Sequence, residues 1–460
     1  MPTADIQRMI VFRPEQAAKA ILFFRIRSRS GTKDFLRSLL TRVPSAAAPL
    51  PAGKLPLHVS VTWSGIEKLL DGHADLLPAE GKTQLEPWFV SPEAAFSHPE
   101  ELGFIEDSAP DTWWDRAWTN ADIDLALHVF AEDADQLRAE LDALKASAGS
   151  TGMEALVLPT FEEGTPAGTT PAGGILHFGF RDGITNPDID WEEDGTGTVD
   201  KRELLLGYRT ADYPTSPFRD GPWKDFVRDG SLACVAWIGQ DAAGFDDFLT
   251  EAADQVTGLA PEGLERDWLA SRMMGRWFDG SPVMRWPDRP PDTPDLRNDF
   301  GFATDPKGER CPLTTHIRVA NLRDDPMTFP NKLVFPKGPP RFMRRGFSYG
   351  PAYRKGDDRN IPRGLVGTFF CARLNEQFLK VLRWIHKTDF SEGFFRKPYA
   401  ANLQDACFGT RGPSGGSSRM PIAAAFGHRD IQLARFITFR GVAVLLMPSL
   451  PSLARLAEDI

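Results

Sequence analysis

The chain has 460 residues, too many for one ordinary hydrophobic core and enough for two domains. Its 42% hydrophobic and 25% charged residues are those of a globular protein, and no run approaches the roughly 18 apolar residues of a membrane span. A net charge of -10 argues against nucleic acid as a partner, because phosphate binding requires a basic face.

The first residues, Met1-Pro2-Thr3-Ala4-Asp5-Ile6-Gln7, show no basic stretch leading into an apolar one and no twin arginine. A cytoplasmic location is therefore the expectation. Ala20 to Arg27 reads as a strand, and Lys33 to Leu40 has the apolar spacing of a helix. Leu57 to Thr62 alternates as a strand does. After a Pro- and Trp-rich insertion, Ile123 to Phe130 alternates again. A helix follows with Leu137, Leu141 and Leu144 on one face, and Met153 to Leu158 closes the set. This order predicts a split β-α-β, ferredoxin-like domain over residues 1–165.

Residues 161–174 are rich in Gly, Thr and Pro and predict a loop at the domain boundary. In residues 166–460 the same grammar partly returns. Leu232 to Ile238 reads as a strand and Phe245 to Val256 as a helix. Val366 to Leu374 is strand-like, Gln377 to Ile385 helical, and Phe436 to Met447 strand-like. The prediction is an α+β chain of two ferredoxin-like domains with antiparallel sheets. Long Pro/Gly/Asp-rich loops, Trp286 to Asp299 and Ala406 to Ser418, interrupt the second.

The four cysteines, Cys234, Cys311, Cys371 and Cys407, are far apart and form no CxxC pair. That excludes a sequence-evident zinc site or disulfide framework and predicts buried thiols. CxxCH is absent too, so a bound haem would lack the usual thioether attachment.

Three local patterns stand out. They are Gly179-Phe180-Arg181-Asp182-Gly183, then Thr315-His316-Ile317-Arg318-Val319-Ala320-Asn321, then Arg344-Arg345-Gly346-Phe347-Ser348-Tyr349-Gly350. Each has an ordinary reading alone: a turn, a core histidine, a solvated basic patch. In this order they supply a carboxylate, an imidazole and a guanidinium, the groups a haem peroxidase needs around its iron.

In these residues the chain resembles the dye-decolorizing peroxidase family. Gly179 to Gly183, with His177-Phe178 before it and Ile184-Thr185-Asn186-Pro187 after it, is similar to the family's GxxDG signature. His316-Ile317-Arg318-x-x-Asn321-x-Arg323 resembles the stretch that carries the proximal histidine, and Arg344 to Gly350 the distal arginine segment. The resemblance extends to Leu204 through Tyr208, Gly275-Arg276-Trp277 and Arg440 through Leu450. Departures occur at Val442, where a second glycine is common, and at Val319, where a basic residue is. Gly346 stands where one subgroup has asparagine.

The resemblance implies haem b, held without a covalent link in the C-terminal domain, with His316 as the iron ligand. It implies a peroxidase that reduces hydrogen peroxide and oxidises an organic reductant, dyes and phenolics included, through a ferryl intermediate. Asp182 is then the distal acid–base group and Arg344 the distal cation. Gly183, Ile184 and Thr185 lie against the haem, and Arg318, Asn321 and Arg323 contact its propionates or ring. Arg344 is expected beside Asp182. Glu376 is a candidate partner for the other nitrogen of His316. Thr368 and Phe370 share a strand face by two-residue periodicity and are expected to wall the distal pocket. Tyr349, Tyr353 and Trp384 lie near the site in sequence as electron-relay candidates.

Two other functions fit the same resemblance: a haem-binding or trafficking protein, and a deferrochelatase-like protein that releases haem iron. Retention of both Asp182 and Arg344 argues against a carrier, and the N-terminal residues weigh against the second. Some relatives are nanocompartment cargo, a role discounted here because Leu453 to Ile460 carry no Gly/Ser-rich tail. No nucleic-acid or membrane partner is expected, and a homo-oligomer is left open.

Overall fold

The computed structural model describes residues 3–48, 53–70, 87–91, 96–169, 172–208, 222–324, 327–329, 332–335, 341–387, 402–412, 416–424 and 427–458. Strands of the main sheet are β1 (Ala18–Ile26), β2 (Leu57–Val61), β3 (Leu125–Ala131), β4 (Met153–Leu156), β5 (Ala167–Thr169), β6 (Ser231–Gln240), β7 (Met343–Tyr349), β8 (Gly364–Cys371) and β9 (Ile437–Met447). The helices that matter below are α1 (Arg29–Leu39), α2 (Ala134–Ser150), α3 (Ala242–Ala252), α4 (Glu265–Met274), α5 (His316–Ala320), α6 (Phe378–His386) and α7 (Leu450–Ala457).

Side-chain caps start these helices where the sequence supplies them. Ser28 accepts from the Gly31 amide at 3.3 Å, Asp133 from Gln136 at 2.8 Å, and Asp241 from Gly244 at 2.7 Å. Along α2, Leu137, Leu141, Leu144 and Ala148 form the buried stripe that docks it on the sheet. No helix among the described residues is long and apolar enough to cross a membrane.

The sheet runs β7-β8-β6-β9-β2-β3-β1-β4, with β5 also paired to β1, and its pairs are antiparallel. The two halves repeat one spatial order. In the first, the second strand lies beside the third, then the first, then the fourth (β2-β3-β1-β4). In the second, β7-β8-β6-β9 has the same arrangement. This is the duplicated ferredoxin-like plan, and the halves join where β9 meets β2 at Leu446 and Val61.

Part of the stretch expected to be loop is strand. Residues 167–169 pair with Ala18 to Ala20, so they extend the first half's sheet from beyond position 165. The Cβ of any residue other than glycine at 168 would stand 1.8 Å from the Ser348 carbonyl, so β5 and the edge strand β7 approach backbone to backbone. The sheet thereby curls, with one face inward. That interior holds Trp114, stacked on Trp118 at 4.7 Å and edge-on to Phe23 at 5.2 Å. Phe161 bridges Trp237 and Tyr349, 5.3 Å from each. The ends of the chain also meet. Buried Gln7 donates to the Val59 and Pro448 carbonyls, both at 2.9 Å, and α7 packs on α1.

The interior carries buried histidines with a consequence for pH. His58 and His128 are paired across β2 and β3, and His128 Nε2 shares a 3.0 Å hydrogen bond with Ser60. Burial pushes His128 down to about 3, and burial, then His128 and Arg8, hold His58 well below the ordinary imidazole range. Burial likewise brings His386 to about 4. Folded, these rings stay neutral; unfolded, they take up protons below about pH 6.5. Stability is therefore complete above that value and lost as the pH falls, by up to about 4 kcal/mol per pH unit for three such residues. The urea midpoint should drop steeply between pH 6 and 4.5, and His128→Gln should flatten the slope. A midpoint constant over that range would contradict this account.

Candidate active site

A cavity of about 1750 Å³, including its opening to solvent, lies between the second half's sheet and helices α5 and α6. Its floor follows strand parity. Arg344, Gly346 and Ser348 of β7 sit opposite Phe369, Gly367 and Leu365 of β8, and all line the cavity. Gly346 and Gly367 face each other, so the middle of the floor carries no side chain.

His316 opens α5 and lines the cavity with 12% of its side chain exposed. Its Nδ1 donates to Asp405 Oδ2 at 2.9 Å, because a buried carboxylate can only accept there. Asp405 is held in turn by the Cys407 and Phe408 amides, which donate to Oδ1 at 2.8 and 2.7 Å. The Phe408 ring stacks on the imidazole at 4.3 Å. This arrangement fixes the tautomer and leaves Nε2 with a lone pair that could bind a metal. Glu376, expected as a partner, is not one: His316 Nδ1 is taken by Asp405, while Glu376 pairs with Arg373 at 3.9 Å and borders a smaller adjoining cavity. Sequence reading missed Asp405, which belongs to no local pattern.

Asp182 lines the same cavity from the turn that Gly179 and Gly183 make, both at positive φ (85° and 83°). Its carboxylate pairs with Arg13 at 3.7 Å, the two side chains being 38% and 46% exposed. Arg344 is therefore not its ion-pair partner among the described residues. The Arg344 guanidinium instead donates to the Thr185 hydroxyl, and its backbone amide donates to Asn186 Oδ1 at 3.1 Å. Gly183, Ile184 and Thr185 line the cavity as expected. Asp182 and Arg344 are thus tied to one loop, residues 182–186, by different contacts.

The arginines after His316 divide. Asn321 and Arg323 border the adjoining cavity, which shares Thr185, His316 and Arg344 with the main one. Arg323 donates to the Asn298 and Phe300 carbonyls at 2.6 and 3.0 Å. Burial, then Arg276 and Arg341, bring it down to about 9. Arg341 and Lys380 line the same space, so cations gather at this end. Arg318, expected to contact a cofactor, lines neither cavity. It is fully buried and donates to Asp305 Oδ2 at 3.2 Å, the Asp305 carbonyl at 2.8 Å and the Cys311 carbonyl at 2.7 Å. Its work is to hold the loop before α5. Removing one partner strands the other's charge, so Arg318→Met should cost about 3–5 kcal/mol, read as a lower urea midpoint. A wild-type midpoint would show that the Asp305 carboxylate is satisfied by backbone amides alone.

Phe370 and Thr368 share a face, but it is the wrong one. Phe370 is fully buried in a separate cluster with Met343, Leu204 and Met9, and Phe369 takes its place on the cavity wall. Tyr349 is buried in the sheet interior, and Trp384 borders the adjoining cavity. The four cysteines are buried, and none lines either cavity.

These residues fit a haem. The middle of the floor is clear of side chains, one imidazole nitrogen is presented by an anchored ring, and the adjoining cation cluster suits two propionates.

No protein-family model matches the chain. Among curated proteins it is 26% identical to Peroxidase 2 of Mycetinis scorodonius over 421 residues, covering 85% of this chain and 74% of that one. It is 25% identical to the multifunctional dye peroxidase DyP2 of an Amycolatopsis species over 464 residues, covering 95% and 92%. Solved structures with the same fold include a dye-decolorizing peroxidase in complex with 2,6-dimethoxyphenol, at TM-score 0.76 and 22% identity over 100% of both chains. A fungal DyP-type peroxidase from Auricularia auricula-judae matches at TM-score 0.76 and 21% identity, covering 100% of this chain and 99% of that one. With sequence similarity to curated peroxidases along most of its length and the fold of solved dye-decolorizing peroxidases throughout, the chain is similar to the dye-decolorizing peroxidases, which are peroxide-dependent oxidoreductases.

Proposed function

We propose that the protein is a haem b peroxidase that reduces hydrogen peroxide to water and oxidises organic compounds, dyes and phenolics among them. One observation carries this reading: a single cavity is lined by His316, anchored through Asp405, and by both Asp182 and Arg344. A carrier of haem needs the first of these and has no use for the other two.

His316 Nε2 would hold the iron, with Gly183, Ile184 and Thr185 against the ring and Asn321, Arg323, Arg341 and Lys380 toward the propionates. The absence of cysteine from the cavity wall supports a non-covalent cofactor. When bound, haem supplies the redox equivalents that cleavage of the peroxide O–O bond consumes. The protein's part is proton and charge management. Asp182 takes the proton from one peroxide oxygen and returns it to the other, which leaves as water. Arg344 offsets the negative charge that builds on the departing oxygen. Asp405 keeps Nδ1–H engaged, which makes the ring a stronger donor through Nε2. The division into domains at 165/166 belongs to this reading too, with the haem site in the second.

The test is a visible spectrum of protein purified with haem supplied, before and after one equivalent of peroxide. A Soret band that shifts with peroxide and returns on adding a phenolic reductant is the expected result. A Soret band indifferent to peroxide would favour a carrier, and release of metal-free protoporphyrin would favour iron removal.

A further inference from the structure

The ion-pair partner of Asp182 comes from the other half of the molecule. Arg13 follows a short helix, Arg8–Val11, at the start of the chain. This N-terminal arm is fixed by contacts with both halves. Gln7 makes a two-way amide contact with Val59, donating at 2.9 Å and accepting at 3.0 Å, and reaches the Pro448 carbonyl. The Arg8 amide donates to the Pro44 carbonyl at 2.9 Å. Arg345, one residue from Arg344 and on the opposite face of β7, spreads its guanidinium over the arm's last carbonyls. It donates to Met9 at 3.1 Å, Val11 at 2.9 Å, Ile10 at 3.4 Å and Phe12 at 3.3 Å. These are the carbonyls that a helix C-terminus leaves unpaired.

The arm therefore delivers Arg13 to one place. There Gly183 makes room for it: a Cβ on Gly183 would stand 2.0 Å from Arg13 Nη1. Arg13 also lines the haem-site cavity and two further cavities beside the arm. Lys19, nearby on β1, responds to the charges of both Arg13 and Asp182.

We infer that Arg13 is a positioning residue for the peroxide reaction: it holds the Asp182 carboxylate in the orientation proton transfer needs, and Arg345 holds Arg13 by gripping the arm. This rests on the proposed function of Asp182. A half-exposed ion pair contributes little by charge alone. Its contribution is geometric, because a small misplacement of a catalytic group slows the reaction far more than the pair's weak attraction would suggest.

The test uses the haem-loaded protein as wild type, Arg13→Ala and Arg13→Lys. Rapid mixing gives the second-order constant for hydrogen peroxide. Cyanide association, followed by the Soret shift, is the readout without turnover, since hydrogen cyanide also gives up its proton on binding. Arg13→Ala should slow both processes by about tenfold, with an unchanged thermal midpoint. Arg13→Lys should recover most of the loss, and added guanidinium ion should partly rescue Arg13→Ala. Wild-type rates for Arg13→Ala would overturn the inference, as would equal losses in both variants with a lowered midpoint, which would mark a structural role. If the wild-type protein itself shows no reaction with peroxide, the proposed function fails instead, and the two failures are separate.

Discussion

Arg344→Leu should lower the second-order constant for hydrogen peroxide by about three orders of magnitude, with the Soret band of the resting protein retained. Two effects combine in this variant. The cation that offsets charge on the departing oxygen is gone, in a cavity whose mostly apolar lining makes each fixed charge count for more. The Thr185 hydroxyl also loses its donor, which loosens the loop that carries Asp182. Asp182→Asn keeps the shape of the side chain and removes the base, a change worth about 10²–10⁴ in general. Because Arg344 supports the loop as well as the charge, Asp182→Asn should fall at the low end of that range, about a hundredfold, and the loss of Arg344 should be the larger of the two. If Arg344→Leu reacts with peroxide as fast as wild type, the cavity is not where the O–O bond is broken.

Asp405→Ala should weaken haem retention by about 10–100-fold, the range for losing a hydrogen-bond partner of a ligating histidine. The carboxylate is buried and accepts from the His316 ring and two amides, so its removal unfastens the ring and the Phe408 loop together. Asp405→Asn separates charge from shape. It should keep haem but raise the reduction potential, because a neutral acceptor leaves the imidazole a poorer donor. His316→Ala should lose haem altogether. Titration with haem and a spectroelectrochemical measurement distinguish these outcomes. An Asp405→Asn potential equal to that of wild type would show that the carboxylate orients the ring without tuning it.

What could be read from the sequence depended on how far each signal reaches along the chain. The apolar run over Ala20 to Arg27 and the alternation over Leu57 to Thr62 are local signals, and those strands formed where expected. β7 was not foreseen, because Arg344, Arg345 and Gly346 break the apolar alternation at the positions where chemistry sits. Helix α5 has five residues, fewer than two turns, too few to show a period. The shared face of Thr368 and Phe370 followed from geometry, but which face the helices cover is settled by tertiary packing. With Phe369 and Phe370 adjacent, composition could not choose between them. Arg318 and Arg323 look alike in sequence; the difference is Asp305, which folds back to claim one of them. Asp405 and Arg13 are partners of His316 and Asp182 only through the fold, and no motif joins either pair.

The contact between Gln7 and the Pro448 carbonyl has a meaning for how this protein comes into being. As the polypeptide leaves the ribosome, Gln7 can pair with Val59 early but gains its second acceptor only once residue 448 has been made. Helix α1 likewise remains uncovered until α7 arrives. Neither half is complete until β9 and α7 have been made, which sets a late step in the folding of both. A truncation that removes β9 and α7 would strand the opening segment, and with it the arm that carries Arg13.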